Sequence, residues 1–199
     1  MTRVIGGTAG GRRLTVPPGT ATRPTSDRAR EALFSALTSM LAPAGLRGTR
    51  LLDLYAGSGA VGLEALSRGA RQVLLVDSDR RAADTVRANV AALGLPGAQV
   101  VRDDVARLAA GPNPGEPYDV AFLDPPYPTP AGSVAAVLSA LAEHGWLRPG
   151  ALVVVERASR DDPWVWPAGL AAIRDRRYGE GTLWYGRAAW SGDPRRDPE

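Results

Sequence analysis

A glycine-rich turn between an apolar run and a helical pattern is the feature that most constrains this chain. Residues 51–54 are a short apolar run, Gly57-Ser58-Gly59 follows shortly after it, and apolar residues then recur with helical spacing. This pattern predicts a strand, a tight turn and a helix, the first βα unit of an open parallel sheet. Gly57 and Gly59 can adopt positive φ, and Gly62 lets the helix pack closely on the strand. The free backbone N–H groups at the start of such a helix would face a ligand.

The spacing of these three glycines leaves two cofactors open, NAD and S-adenosylmethionine (SAM). Asp77 follows Gly57 by about 20 residues, at the distance where an acid that binds ribose is expected. Asp53 favours SAM, because a carboxylate at the end of the first strand would repel a pyrophosphate, whereas SAM carries an ammonium group and a sulfonium. A turn that binds no ligand is the alternative for the loop on its own.

The composition indicates a single cytosolic domain. The 199 residues are enough to bury a core, no apolar run reaches the ~18 residues of a membrane helix, and the N-terminus lacks the apolar segment of a secretory signal. Without cysteine the chain can form neither a disulfide nor a cysteine-ligated metal site. The missing thiol also excludes methylation of pyrimidine carbon 5, which needs an enzyme nucleophile. We expect a cytoplasmic monomer with no metal and no membrane contact.

Strand and helix patterns alternate through the rest of the chain, as in doubly wound α/β folds. Further strands are predicted at residues 72–77, 98–101, 118–123 and 151–155, and a closing antiparallel hairpin at 173–178 and 182–190. The sequence therefore predicts a Rossmann-like, mostly parallel seven-stranded sheet. We assign residues 1–22 to a small basic β-hairpin extension, 23–190 to the main domain, and 191–199 to a disordered tail.

Acidic residues stand at the ends of four predicted strands: Asp53, Asp77, Asp103 or Asp104, and Asp124. Because the carboxyl ends of parallel strands meet at one edge of a sheet, these acids should line a single cleft. Asp77 is placed to accept hydrogen bonds from ribose hydroxyls, and the acid after the third strand from the adenine amino group. Periodicity does not decide between Asp103 and Asp104, and we choose Asp104 because small residues follow it. The predicted cofactor-binding residues are Asp53, Tyr55, Gly57, Ser58, Gly59, Asp77, Ser78 and Asp104.

The sequence Asp124-Pro125-Pro126-Tyr127 follows the fourth strand and suits the chemistry of an exocyclic amino group. The two prolines stop the strand and stiffen the turn, which orients the Asp124 carboxylate and the Pro125 carbonyl as neighbouring acceptors. Together they can hold both hydrogens of an NH₂ group, and Asp124 can take the proton as charge develops on nitrogen. Tyr127 offers a ring on which a flipped base can stack. We predict Asp124, Pro125 and Tyr127 as catalytic residues; a capped Pro-Pro turn is the alternative for the tetrapeptide alone.

Positive charge is concentrated near the N-terminus. Residues 1–50 contain eight arginines and two acids, and the chain contains no lysine. A bias toward arginine codons would explain arginine in place of lysine, but it would not explain this segregation. Because guanidinium groups bind phosphate in bidentate fashion, we predict an RNA clamp formed by Arg3, Arg12, Arg13 and Arg23. The parallel sheet begins only near residue 50, so we expect the fold to survive removal of residues 1–18.

With these motifs in place, the chain resembles a known family. Residues 3–7, 11–14 and 22–34 resemble the bacterial 16S rRNA guanine-N2 methyltransferases of the RsmD type. The motifs Asp53-x-x-x-Gly57-x-Gly59 and Asp124-Pro125-Pro126-Tyr127 look like the SAM-binding and amino-group motifs of class I N-methyltransferases. The resemblance extends to about residue 157 and weakens beyond it.

The resemblance implies a class I methyltransferase fold with SAM as cofactor. It further implies transfer of the methyl group to N2 of guanine 966 in 16S rRNA, within a partly assembled 30S subunit. It carries Asp124 over as the acceptor of the amino group, Tyr127 as the stacking residue and the Gly57 loop as the cofactor site.

Three other functions account for part of the pattern. An NAD-dependent oxidoreductase would use the glycine spacing and Asp77, but it leaves Asp53 and the tetrapeptide that begins at Asp124 without a role. A non-catalytic RNA-binding module with a vestigial cofactor site is disfavoured by the intact Asp124 and Tyr127. An N6-adenine methyltransferase of nucleic acids uses a similar tetrapeptide and is the nearest alternative.

Overall fold

A seven-stranded sheet with helices on both faces forms the main body of the chain. The structure is a computed structural model that describes residues 2–17 and 27–189. Within these ranges the helices are α1 (Asp27–Met40), α2 (Ala60–Ser67), α3 (Arg80–Leu93), α4 (Val105–Ala110) and α5 (Ala131–Glu143). The strands are β1 (Thr2–Arg3), β2 (Arg13–Leu14), β3 (Arg50–Leu54), β4 (Gln72–Asp77), β5 (Ala98–Arg102), β6 (Tyr118–Leu123), β7 (Leu147–Ala158), β8 (Leu170–Tyr178) and β9 (Gly181–Ala188).

The main sheet has the strand order β5-β4-β3-β6-β7-β9-β8. Strands β3 to β7 are parallel, and β9 runs antiparallel to both of its neighbours, β7 and β8. The chain leaves β3 toward β4 on one side and later returns to β6 on the other. The order therefore reverses at β3, which opens a crevice at its carboxyl end. The predicted Rossmann-like sheet, its closing hairpin and the separate N-terminal hairpin are confirmed.

Strand β7 differs most from the prediction. It extends from Leu147 to Ala158, whereas the sequence predicted a strand only at residues 151–155. Pro149 and Gly150 form an irregular part of the strand, where the register against β6 shifts and Gly150 has a φ of 78°. The longer strand brings Glu156 to the carboxyl edge of the sheet.

Apolar clusters on the two faces of the sheet hold the helices in place. Helices α1, α2 and α3 pack on one face, and α4 and α5 pack on the other. Every residue of α2 is buried, which makes this helix the centre of the first layer. None of the helices in the described ranges is both long enough and apolar enough to cross a bilayer.

The glycine turn has the conformation that its sequence predicts. Gly57 and Gly59 have φ values of 56° and 76°, in the left-handed region that favours glycine. Gly59 is the N-cap of α2, and a Cβ there would lie 3.0 Å from the Leu75 side chain. A Cβ at Gly57 would meet no atom within 4 Å, so the backbone of this residue borders open space.

The N-terminal hairpin is packed firmly against the domain. Val4 and Leu14 are buried in the same apolar cluster as α1 and α2. The carboxylate of Glu64, on α2, is fully buried and accepts hydrogen bonds from the backbone N–H groups of Ile5 and Gly6 at 2.6 and 2.8 Å. The hairpin therefore supplies most of the partners of this buried charge, which also pairs with Arg68 at 2.7 Å.

These contacts count against the expectation that residues 1–18 can be removed without loss of the fold. Truncation would uncover the apolar surface beneath Val4 and Leu14 and would deprive Glu64 of two hydrogen-bond donors. A buried charge that loses its partners destabilises a protein by about 3–5 kcal/mol. Any role of the hairpin in binding must therefore be tested by single substitutions.

We predict that Gly62→Ala destabilises the protein, because α2 packs on β3 and β4 through this residue. A Cβ at Gly62 would lie 2.7 Å from Cγ1 of Val73 and 2.8 Å from Cδ2 of Leu75, both of which are buried. Overpacking of this kind costs about 1–3 kcal/mol. Urea unfolding monitored by circular dichroism measures the effect.

Gly132, in the first turn of α5, provides the matched control. A Cβ there meets nothing within 4 Å, so Gly132→Ala should raise the free energy of unfolding by about 0.5–1 kcal/mol. Equal urea midpoints for Gly62→Ala and the wild type would contradict the close approach of helix and strand.

Candidate active site

A cavity of about 300 Å³ opens at the carboxyl ends of β3, β4, β6 and β7. Open α/β sheets bind their ligands at this position, and the volume is within the range of small-molecule sites. Most of the predicted cofactor-binding and catalytic residues meet in its wall: Asp53, Tyr55, Gly57, Ser58, Asp77, Ser78, Asp124, Pro125 and Tyr127. Gly59 does not line the cavity. It contributes to the shape of the turn as the N-cap of α2.

Two of the predicted acids hold the glycine turn. Asp53 accepts a hydrogen bond from the backbone N–H of Gly62 at 2.8 Å, and Asp77 accepts one from that of Gly57 at 2.8 Å. The second oxygen of Asp77 accepts from the N–H of Asp79 at 2.9 Å. Carboxylates therefore fix the position of the turn through Gly57 and Gly62. These acids determine the geometry of the site and also give it negative charge.

Three carboxylates in the cavity wall interact electrostatically: Asp53, Asp124 and Glu156. Asp53 is 2% exposed, and burial raises its pKa to about 7, with the Gly62 hydrogen bond opposing the rise and Asp77 adding to it. Burial, together with the charges of Glu156 and Asp53, also raises the pKa of Asp124 well above its usual value. A cationic ligand would relieve this repulsion and lower both pKa values. No group of acids and histidines in the described residues is arranged to hold a metal ion.

Asp103 and Asp104 do not line the cavity. Asp104 is the N-cap of α4 and accepts a hydrogen bond from the backbone N–H of Arg107 at 2.9 Å, while Asp103 accepts one from the Arg107 side chain at 2.6 Å. Burial raises the pKa of Tyr55, and the charge of Asp104 raises it further. Asp104 is thus electrostatically linked to the Tyr55 side of the cavity. Its contact with adenine stays a prediction.

The mouth of the cavity carries exposed apolar side chains. Tyr127 is 49% exposed and Val16 is 38% exposed, and both line the opening. The guanidinium of Arg160 lies over the Tyr127 ring, 5.7 Å from its centre. An exposed aromatic ring with a neighbouring cation offers a surface on which a nucleobase can stack.

The arginines predicted to bind RNA occupy different environments. Arg3 pairs with Asp27 at 3.4 Å and remains largely exposed. Arg12 donates to two backbone carbonyls at the C-terminal end of α3, where a positive charge is favourable. The Arg13 side chain is exposed and has no ion pair or hydrogen bond with another described residue. Arg23 lies outside the described residues.

The segment that follows the hairpin leads directly to the cavity. Asn89, on α3, accepts a hydrogen bond from the Thr15 N–H and donates to the carbonyls of Thr15 and Ser58, each at 2.9 Å. Val16 and Pro17 come next and line the cavity. One amide side chain therefore joins the hairpin segment to the glycine turn.

Five charged residues in the described part of the cavity wall were not predicted from the sequence: Arg30, Asp79, Glu156, Arg157 and Asp161. Arg30 is in the first turn of α1, on the apolar face with Leu33, Phe34 and Leu37, and it is 1% exposed. A lone charge on an apolar helix face is the signal that could have identified it. Burial lowers the pKa of Arg30, and the nearby carboxylates oppose this shift. Glu156 directly follows the predicted strand at residues 151–155, so the signal that identified Asp124, an acid at a strand end, could also have identified it.

Comparison with known proteins gives the family of this chain. A family model described as conserved hypothetical protein 95 matches residues 2–187. The chain belongs to this family. It is 36% identical to the ribosomal RNA small subunit methyltransferase D of Escherichia coli strain K12, over 89% of this chain and 85% of that protein. It is also 40% identical to a putative rRNA methyltransferase of Bacillus subtilis, over 77% of this chain and 81% of that protein.

The solved structures agree with the sequence relatives. A structure described as a putative methyltransferase from Escherichia coli matches with a TM-score of 0.80 and 33% identity, over 95% of this chain and 98% of that one. The predicted membership of the RsmD-type family and the predicted methyltransferase fold are thereby confirmed.

We predict that Asp53→Asn makes the protein more stable in a pH-dependent manner. Asparagine keeps an oxygen for the Gly62 N–H but carries no charge. Because the pKa of Asp53 rises from 3.8 to about 7 on folding, ionisation of this residue disfavours the folded state increasingly between about pH 4 and pH 7. The free energy of unfolding of Asp53→Asn should exceed that of the wild type by a margin that grows over this range to at most about 4 kcal/mol, then stays level.

Chemical denaturation of ligand-free protein at a series of pH values measures this margin. Asp175→Asn, at an exposed position of β8, controls for the loss of one negative charge. A margin for Asp53→Asn that is the same near pH 5 and near pH 8 would contradict the raised pKa.

Proposed function

We propose that this protein transfers a methyl group from SAM to the exocyclic N2 amino group of a guanine in 16S rRNA, guanine 966 in the bacterial numbering. The observation that carries the proposal is the meeting of the glycine turn and the Asp124-Pro125-Pro126-Tyr127 segment in one electronegative cavity. Membership of a family with rRNA small subunit methyltransferases among its relatives supports the RNA class. The reaction would take place in the cytoplasm, on RNA of a partly assembled 30S subunit, with the enzyme acting as a monomer.

The residues of the cavity fit SAM better than NAD. SAM supplies an electrophilic methyl group on a sulfonium and adds an ammonium group, and the acids Asp53, Asp124 and Glu156 in the cavity wall favour such positive charge. A pyrophosphate would instead raise the pKa values of Asp53 and Asp124 further. The open space next to Gly57 lets a ligand approach the backbone closely. We assign the ribose hydroxyls to Asp77, with Ser78 beside it, and the adenine to the Tyr55 and Asp104 side of the cavity.

Asp124 and Pro125 supply the acceptors for the amino group. Pro125 is buried and follows the last residues of β6, so its carbonyl is held by the strand end and by the proline that follows it. Hydrogen bonds from both amino hydrogens would direct the nitrogen lone pair out of conjugation with the base. As the N–C bond forms and the bond from the methyl group to sulfur breaks, leaving a neutral thioether, the nitrogen would become positive and its proton would pass to Asp124. Tyr127, at the mouth, would stack on the base that has left its helix.

The nucleotide product tests the proposal. Purified protein, SAM with a tritiated methyl group and rRNA or 30S subunits from a strain that lacks the enzyme should give labelled N2-methylguanosine at a single position. Labelled N6-methyladenosine would favour the alternative target. If neither the free rRNA nor the 30S subunits were labelled, the proposal would be contradicted.

We predict that Asp124→Ala and Asp124→Asn lower the rate of methyl transfer by about 10²–10⁴-fold, because neither side chain can take the proton. SAM affinity, measured by calorimetry, should stay within a few-fold of the wild type, since Asp124 acts on the amino group. A large loss of SAM binding would instead assign Asp124 to the cofactor site.

Asp119 is the matched control for Asp124, because it belongs to the same strand but lies near its amino end. Its carboxylate accepts from the backbone N–H of Arg50 and pairs with Arg148, far from the cavity. Asp119→Asn should leave the rate of the folded enzyme unchanged. A comparable loss of rate in both variants would point to a general effect of charge.

We predict that Arg13→Ala weakens RNA binding, because this exposed side chain is available for a phosphate. The slope of log affinity against log salt should fall by about one unit for each lost phosphate contact. Arg12→Ala should mainly lower the free energy of unfolding, since Arg12 binds the end of α3. Filter binding at several salt concentrations and urea unfolding separate the two effects.

Arg47, an exposed arginine in the loop before β3, is the control for Arg13. It belongs to the amino end of the sheet, away from the cavity. Arg47→Ala should leave both affinity and salt slope as in the wild type. Equal losses for Arg13→Ala and Arg47→Ala would show that only overall charge matters.

A further inference from the structure

Arg30 is a buried cation. Its positive charge is not fully balanced by the nearby carboxylates, and one of its hydrogen-bond donors has no partner among the described residues. Its side chain is 1% exposed and lines the cavity at the first turn of α1. One terminal nitrogen donates to the carbonyl of Arg3 and to the carboxylate of Asp27, the latter at 3.0 Å. Its Nε has no hydrogen-bond partner within residues 2–17 and 27–189. A buried donor without a partner is costly, so this atom invites a ligand.

The acids around Arg30 do not balance the arginines there. Asp27 is shared between Arg30 and Arg3, and Glu64 is already bonded to Arg68 and to two backbone N–H groups. Three guanidinium groups thus face two carboxylates, which leaves one positive charge in excess. The segment 18–26, which joins the hairpin to α1, contains no acidic residue that could supply the missing charge.

Arg157 is the other cation in the described wall of the cavity, and its charge is balanced by a neighbouring carboxylate. It donates to the carbonyl of Thr129 at 2.9 Å and pairs with Asp161 at 3.1 Å. Asp161 also lines the cavity and balances the charge of Arg157 one to one. A negatively charged group of a ligand in this cavity would therefore find its unsatisfied partner at Arg30.

We propose that Arg30 binds the α-carboxylate of the cofactor, through its Nε. This assignment rests on the proposed function, which gives the cavity a ligand with two positive groups and one carboxylate. The positive groups of this ligand would be balanced by the carboxylates of Asp53, Asp124 and Glu156. Its carboxylate would be balanced by the guanidinium of Arg30. The ligand is then bound as a dipole, with its negative end toward α1 and the hairpin.

The burial of Arg30 favours this ligand group over an RNA phosphate. A phosphodiester belongs to a chain that must stay at the surface, whereas Arg30 is almost inaccessible from outside. A carboxylate at the end of a small molecule already inside the cavity reaches the guanidinium without exposing it. A planar guanidinium also suits a carboxylate, to which it donates in bidentate fashion.

A ligand that differs from SAM by one group provides the sharpest test. Decarboxylated SAM retains the adenosine, the sulfonium and the amine but lacks the carboxylate. Calorimetry on the ligand-free wild type and on Arg30→Gln should show a loss of about 10- to 100-fold in SAM affinity for the variant, the value of a charged hydrogen bond. The affinity for decarboxylated SAM should change by less than about three-fold, because the lost partner is absent from that ligand.

Two further variants separate this role from a structural one. Arg157→Gln removes the other cavity cation and should alter the affinities for both ligands by the same factor. Arg30→Lys keeps the positive charge but has no Nε donor. The ratio of its affinities for SAM and decarboxylated SAM should lie between the ratios of the wild type and Arg30→Gln. Because Arg30 also holds the carbonyl of Arg3, thermal unfolding of each ligand-free variant reports any damage to the hairpin.

The outcomes are distinguishable. Equal loss of affinity for both ligands in Arg30→Gln would overturn the inference, since damage to the fold does not depend on the carboxylate. Unchanged SAM affinity with a raised KM for RNA would also overturn it and would assign the guanidinium to the RNA. Absence of SAM binding by the wild type would overturn the proposed function itself.

Discussion

The hydrogen bond between the buried Asp53 carboxylate and the backbone N–H of Gly62 is the contact on which the cavity depends. It joins the end of β3 to the first turns of α2, where a side chain on Gly62 would collide with Val73 and Leu75. Close packing thus brings an acid out of water, and its pKa rises to about 7 as a result. The geometry of the turn and the negative character of the cavity have one cause. Asp77 has the same double role on the other side of the turn, through the N–H of Gly57.

Charged side chains on otherwise apolar helix faces attach the N-terminal hairpin to this centre. Glu64 on α2 accepts from the hairpin backbone, and Arg30 on α1 donates to the carbonyl of Arg3. Asn89 continues the connection by binding both Thr15 and the glycine turn. Buried polar groups of this kind stabilise only the arrangement that satisfies them. The hairpin is therefore held in one position relative to the cavity mouth, where a substrate base would enter.

The sequence predicted what depends on local pattern and missed what depends on distant packing. Apolar runs and glycine spacing were enough for the sheet, and the position of acids at strand ends was enough to bring Asp53, Asp77 and Asp124 together. The full length of β7, from Leu147 to Ala158, depends on its pairing with β6 and β9. Glu156 was missed although it directly follows the predicted strand at residues 151–155. The environments of the arginines followed from contacts between elements far apart in the chain, which composition does not report. Arg12, for instance, binds the end of α3.

The raised pKa of Asp124 is consistent with its proposed work as a proton acceptor when the charges are followed through the reaction. In the ligand-free cavity, burial and the neighbouring Glu156 and Asp53 favour the protonated form of Asp124. Under the proposed function, positive charge on the cofactor would stabilise the ionised form, so the carboxylate would be ready when the amino group arrives. Asp124 would then take the proton from the amino nitrogen as that atom becomes positive. With a neutral thioether in place of the sulfonium, the repulsion between the acids would again favour the protonated carboxyl. The affinity of Asp124 for the proton would therefore rise at the step that needs it.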